Sequence, residues 1–349
     1  MGDMLDENED AVRFVTEVAQ RADVMKLFPE ERFASVIFGV LMTTTVDSHG
    51  EQFTIEALEA LERKVKENVF LVTAHHDPRI QPVGRVLAAK TFFAPKSKAH
   101  FVAGVVGYWD VSTFMSFEKM GINVSGADNF DVVPNIEIEG PLEAHVGVTR
   151  QDFDFAELEA LLSEAPPIVS KRVQQEFRKA EDPMTIVTIS ASIALLLSTP
   201  YLKEIQKRFG AATADASLAF LRWVGSSLAA KVRSMAKREV LFELKSEIDG
   251  CDLAFLVETS DPLLVSEAME KVQQAAVAAI KLATCLSAYG PIRITYLYDH
   301  VGKKWLPLFA VTKQAGIVTD RPRLIALEGL SGISVAGVLT DRTHIELSH

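Results

Sequence analysis

Pro183-Met184-Thr185-Ile186-Val187-Thr188-Ile189-Ser190-Ala191-Ser192-Ile193-Ala194-Leu195-Leu196-Leu197-Ser198-Thr199-Pro200-Tyr201-Leu202 carries no ionisable side chain except Tyr201. Read as a helix, this run would span about 30 Å at ~1.5 Å per residue, the hydrocarbon thickness of a bilayer. Thr185, Thr188, Ser190, Ser192, Ser198 and Thr199 dilute it, and Pro183 and Pro200 bracket it, as in a buried core helix. Residues 203–238 behind it hold eight basic side chains against two acids, a local charge of +6 in a chain of net charge −11. Clustered Lys and Arg beside an apolar span read as an anchor on anionic lipid. Phe220-Leu221-Arg222-Trp223 and 228–237 suit an interfacial amphipathic helix. The sequence therefore predicts a helix at 183–202, inside a membrane or inside the protein. A single crossing would set the two halves on opposite sides unless the segment turned back.

The 349 residues suggest two domains, and 48% hydrophobic with 24% charged residues excludes a disordered or fibrous chain. The acidic balance argues against a duplex nucleic acid partner, which needs clustered Lys and Arg against phosphates. Cys251 and Cys285 lack metal-ligand or disulfide-framework spacing, so neither metal nor cofactor is expected. Residues 1–10 are acidic and carry no basic-then-apolar leader pattern, which gives a cytoplasmic expectation, membrane-associated if 183–202 inserts.

Working outward, 7–28 reads as an amphipathic helix closed by Pro29. Residues 33–46 have strand composition, and 54–66 read as a helix that Thr54 can cap. Strand-like runs follow at 69–73, 83–91, 100–106, 122–124 and 135–139, then helices at 153–162 and 171–181. Short strands with few helices between them predict a β-barrel core with helices outside. After Pro166-Pro167 and the apolar and basic segments, 240–248 and 253–259 form strands around Asp249-Gly250. A helix from Asp261 or Ser260 to about 286 follows, then strands at 292–298 and 306–312 around Val301-Gly302-Lys303. The fold class is α+β, divided as 1–165, 166–238 and 239–349. The last unit carries no Gly-rich phosphate loop, nucleophile elbow or ligand cluster, and reads as a binding or assembly module.

Two motifs carry chemistry. Val46-Asp47-Ser48-His49-Gly50-Glu51 precedes a short helix. Thr73-Ala74-His75-His76-Asp77-Pro78 is followed by Pro82-Val83-Gly84-Arg85-Val86. In this order and spacing they resemble the tailed-phage prohead (head maturation) protease family over about 33–149. The resemblance implies a serine nucleophile and a histidine base on a β-barrel like that of herpesvirus assemblins. His76 matches the family histidine because Asp77 follows it, with His75 the fallback; neighbours on a strand face opposite ways, so only one can face a given pocket. The candidate nucleophile is Ser125, in Gly121-Ile122-Asn123-Val124-Ser125-Gly126, where Gly126 would let a backbone N–H approach an oxyanion. Ser112 and Ser116 compete. Ser125-Gly126-Ala127 departs from the Ser-Ile/Leu-Gly-Phe-like string of the family. The resemblance further implies a second histidine that orients the base, and His145 stands 20 residues after Ser125. Glu137, Glu139 and Glu143 are acidic alternatives. A serine hydroxyl needs an adjacent imidazole to take its proton, and that imidazole needs a partner to fix its tautomer.

Two expectations follow. The first is a serine endopeptidase that cuts a protein substrate or itself by acyl transfer. The second is a non-catalytic interaction protein that keeps the protease-like fold and attaches to a membrane or partner through 183–238. The order of apolar span, basic stretch and small α+β unit also loosely resembles membrane-associated effectors of bacterial conflict and defence systems. A homo-oligomer is compatible with either.

Overall fold

The computed structural model describes residues 2–46, 52–67, 70–74, 77–122, 143–149, 153–176, 184–197, 211–320 and 343–345. After α1 (Gly2–Asp6), the Asn8 side chain accepts from Ala11 N at 3.0 Å and caps α2 (Glu9–Gln20), whose Ala11, Val15 and Ala19 are buried. This helix ends short of the predicted 28, in a 3-10 turn at Ala22–Val24. Then come β1 (Phe33–Thr43), α3 (Ile55–Glu67), β2 (Leu71–Val72), β3 (Gly84–Ala94) and β4 (Ala99–Trp109). The middle of the chain supplies β5 (Ala144–Thr149), α4 (Phe155–Ser163), β6 (Gln174–Glu176) and β7 (Thr185–Ala191). Next is α5 (Ala211–Trp223), joined through a π turn at Val224–Leu228 to α6 (Ala229–Met235). The chain continues with β8 (Val240–Ile248), β9 (Cys251–Glu258), α7 (Pro262–Cys285), β10 (Pro291–Asp299), β11 (Lys304–Thr312), β12 (Gly316–Val318) and β13 (Thr343–Ile345).

The architecture is mixed α+β, built on two sheets. The first runs β13-β1-β4-β3-β2, antiparallel throughout, with bulges between Val40 and Met42 and between Val86 and Ala88 that bend it. Among the described residues it is open, with β13 and β2 at its edges. Ile37, Val86 and Val102 on one face pack on Leu58 and Leu61 of α3. Phe33, Phe101 and Val105 on the other pack with Val15 of α2 and with Phe309, Val311 and Ile317 of the second sheet.

The second sheet runs β12-β11-β10-β9-β8-β7-β5-β6. It contains three strand-helix-strand crossovers: β5 to β6 through α4, β7 to β8 through α5 and α6, and β9 to β10 through α7. Each joins adjacent parallel strands, and successive crossovers meet antiparallel. Parallel neighbours need such a long connection, whereas β8 to β9 closes through Asp249-Gly250 alone. Val187, Ile189, Phe242, Leu244, Phe255 and Tyr296 face the helices, with Val265, Val272 and Ala276 of α7 opposite.

The apolar run is where the sequence reading fails. Residues 185–191 are the strand β7, held between β5 and β8, and Ile193–Leu196 form a 3-10 turn. No helix among the described residues is long and apolar enough to cross a membrane, so the predicted spanning helix is withdrawn, and membrane attachment through it with it. Thr185, Ile186, Val187, Thr188 and Ile189 are β-branched without interruption, which favours a strand. The strand is buried on both faces: Val187 and Ile189 pack against the helices, and Ile186 lies beside Met184, Leu241 and Leu256, with Thr188 buried on that same face. The predicted helix at 171–181 is also corrected, since Gln174–Glu176 pair in parallel with β5.

Candidate functional site

The loop that follows the His-Asp motif is drawn into an ion-pair chain. Asp77 N donates to Ala74 O at 2.9 Å and Ile80 N to Asp77 O at 3.1 Å, forming a tight turn. Inside it, Arg79 N donates to Asp77 Oδ1 at 2.9 Å, and the guanidinium grips the same carboxylate through Nε at 2.9 Å and Nη2 at 2.7 Å. Arg79 Nη1 then reaches Glu258 at the end of β9, in the other sheet. Hydrogen bonds from the guanidinium to Asp77, with the charges of Asp77 and Glu258, hold Arg79 protonated more firmly than usual.

Glu258 borders a cavity of about 630 Å³, formed where β9, the β10–β11 hairpin and Asp320 meet. Asp299, His300 and Lys304 line it with Glu258 and Asp320, over apolar contacts from Leu306 and Leu308. Asp299 Oδ1 accepts from Val301 N at 3.0 Å and fixes the hairpin turn. Asp320 Oδ1 accepts from Phe117 N at 2.9 Å. His300 Nε2 lies 2.9 Å from the Glu258 carbonyl oxygen. A carbonyl only accepts, so Nε2 carries a proton and donates it there. The ring Nδ1 is buried and has no hydrogen-bond partner. The Tyr298 ring meets the imidazole edge-on at 5.4 Å and 77°, restricting its rotation.

The sequence-predicted trio is not brought together by the described residues. His76 and Ser125 lie outside them, as do His75, Glu137 and Glu139. His145 is placed on β5 opposite Ser190 of β7, one third exposed, with its Nε2 3.6 Å from Glu143 Oε2. From β5 to β9 is three strand spacings, roughly 14 Å at ~4.8 Å each. His145 therefore does not share the cavity that Glu258 borders. Ser112 N donates to Asp110 Oδ1 at 2.8 Å, and Ser116 Oγ accepts from Lys119 N at 3.1 Å, so both serines belong to turns. Neither His145 nor His300 meets a serine hydroxyl among the described residues. The hydrolase and protease assignment finds no support here, since the described residues hold no nucleophile-base pair. No three His, Cys, Asp or Glu side chains converge as a metal site among these residues either.

The cysteines offer no nucleophile. Burial, with Asp252, Asp249 and Glu247 adding to it, pushes the Cys251 thiol up to about 12, and burial also raises Cys285. In the native protein at pH 8, iodoacetamide should alkylate Cys285 first and leave Cys251 unmodified until denaturant is added. Rapid native alkylation of Cys251, read by peptide mass, would contradict this burial.

Arg79, Glu258 and His300 escaped the sequence reading. Arg79 could have been found, since it directly follows the His-Asp-Pro motif. His300 looked like one more turn residue, and only the sheet brings it to Glu258, 42 positions away. Comparison with family models, with curated proteins and with solved structures finds nothing that matches this chain.

Proposed function

We propose that the chain is a non-catalytic interaction protein. Its N-terminal unit keeps an assemblin-like sheet as scaffold, and the cavity where the end of β9 meets the β10–β11 hairpin receives a segment of a protein partner. The observation that carries this reading is the Asp77-Arg79-Glu258 chain. It spends the carboxylate beside the motif histidine, and the arginine after it, on fastening one sheet to the other at the cavity rim. The volume also suits a bound segment, since ligand sites commonly enclose about 300–1,000 Å³.

The test has two arms on the full chain. A fluorophosphonate probe should label wild type and Ser125→Ala equally weakly; labelling abolished by Ser125→Ala would establish a nucleophile and overturn the reading. A photo-crosslinking residue at Val301, 95% exposed on the cavity rim, should give a discrete product in the cells that make the protein. The same residue at Ile55, 40% exposed at the start of α3, should not. A product from Ile55 alone, or from neither, would also overturn it.

A further inference from the structure

We infer that the cavity at the β10–β11 hairpin recognises an arginine side chain presented by a peptide; this rests on reading the cavity as a binding site. The argument comes from its unequal supply of donors and acceptors. Glu258, Asp299 and Asp320 contribute three carboxylates against the single ammonium of Lys304. Asp299 and Asp320 each spend Oδ1 on a backbone N–H, of Val301 and of Phe117.

Such a lining has acceptors in excess and a net charge of −2, so its complement is a cation rich in N–H groups. A guanidinium fits better than an ammonium. Its planar fork of five donors can engage separated carboxylates at once, whereas an ammonium offers three donors from one point. A bare metal ion is ill matched to a cavity of about 630 Å³. Leu306 and Leu308 supply apolar surface for the methylene stem and for flanking side chains, as long cationic side chains commonly require. Arg79 does not fill this role, because its guanidinium is already held by Asp77 and Glu258.

The test is calorimetric titration of the full chain with acetyl-Leu-Arg-Leu-amide and with its citrulline and glutamate counterparts. The arginine peptide should bind at least tenfold more tightly than the isosteric, uncharged citrulline peptide, and the glutamate peptide should not bind. The D299N/D320N variant keeps both backbone acceptors and should weaken arginine binding at least tenfold. K304Q removes the opposing cation and should tighten it severalfold. E9Q/D10N removes two charges from α2 and should leave it unchanged. Equal binding of the arginine and citrulline peptides, or a K304Q effect of opposite sign, would overturn the inference. Acetyl-arginine methylamide binding as tightly as the tripeptide would replace the peptide by a small guanidinium compound, which also overturns it. If no peptide binds while Val301 still crosslinks, the arginine assignment falls and the interaction reading stands. If both fail, both fall.

Discussion

Replacing Glu31 with alanine is expected to lower the free energy of unfolding by about 3–5 kcal/mol, the cost of stripping one partner from a buried ion pair. Glu31 is fully buried, and its two oxygens serve four donors. Oε1 accepts from Arg85 Nε at 2.7 Å and from the Trp109 indole at 2.8 Å. Oε2 accepts from Arg85 Nη2 at 3.0 Å and from Leu27 N at 2.6 Å. Alanine would strand all of them. Arg85, itself 8% exposed, has the Met25 carbonyl and the face of Phe33 as its other contacts and cannot turn out to water without opening the sheet. Glu31→Gln preserves the shape but points an N–H₂ group at other donors, so it should lose less than alanine and still well over 1 kcal/mol. Replacing the pair together, as E31L/R85M, should recover much of the loss, because two apolar groups leave no buried charge. Urea unfolding followed by tryptophan fluorescence reads all three variants. An E31A loss below 1 kcal/mol, or a double variant no better than the single, would sink this account.

That pair also explains part of what the sequence could and could not convey. Arg85 stands inside Pro82-Val83-Gly84-Arg85-Val86, a string first weighed for its link to chemistry, and in the folded protein it anchors the α2–β1 connection beneath the first sheet. The strands β1, β3, β4, β8, β9, β10 and β11 and the helices α3 and α7 were legible because each has its own local signal: β-branched composition, turn residues, a cap, a helical stripe. The Asp249-Gly250 turn was read at the right residues, and of the two caps offered, Asp261 and Ser260, Asp261 is the one that forms.

The run at 183–202 was misread because a continuous apolar stretch has no period that separates a buried helix from a strand covered on both faces. Length suggested a helix, while the five β-branched residues at 185–189 argued for what formed. The edge of the first sheet was invisible for another reason, since β13 joins β1 from the far end of the chain. The candidate site suffered most. Its members come from the 77–81 loop, the end of β9, the β10–β11 hairpin and Asp320, and no local spacing links them. A resemblance drew attention to the right loop but to its histidines, whereas the described contacts run through Asp77 and Arg79.

Gly84→Ala, one residue before Arg85, is expected to destabilise the protein by about 3 kcal/mol, the upper end of the usual cost of overpacking. The requirement for glycine is one of distance. Gly84 pairs with Tyr108 of β4 on one side and with Val72 of β2 on the other. A Cβ built there would press into the Gly107 carbonyl oxygen and lie 3.0 Å from Tyr108 Cα, so backbone would have to move. The flanking hydrogen bonds, Val83 N to Val72 O at 2.8 Å and Trp109 N to Val83 O at 2.9 Å, resist that movement from both sides. Gly121→Ala is the informative comparison. Its φ of +72° carries conformational strain, but its Cβ would meet nothing within 4 Å, so it should cost only about 1 kcal/mol. Because Trp109 also donates to Glu31, displacing β4 should loosen the buried pair as well, and G84A with E31A should cost less together than the sum of the two. The same shift runs into the 77–83 segment, so G84A should weaken arginine-peptide binding in protein that remains folded, where G121A should not. A G84A loss no larger than that of G121A, with additive behaviour toward E31A, would show that β4 yields freely and that this glycine is not held by close approach.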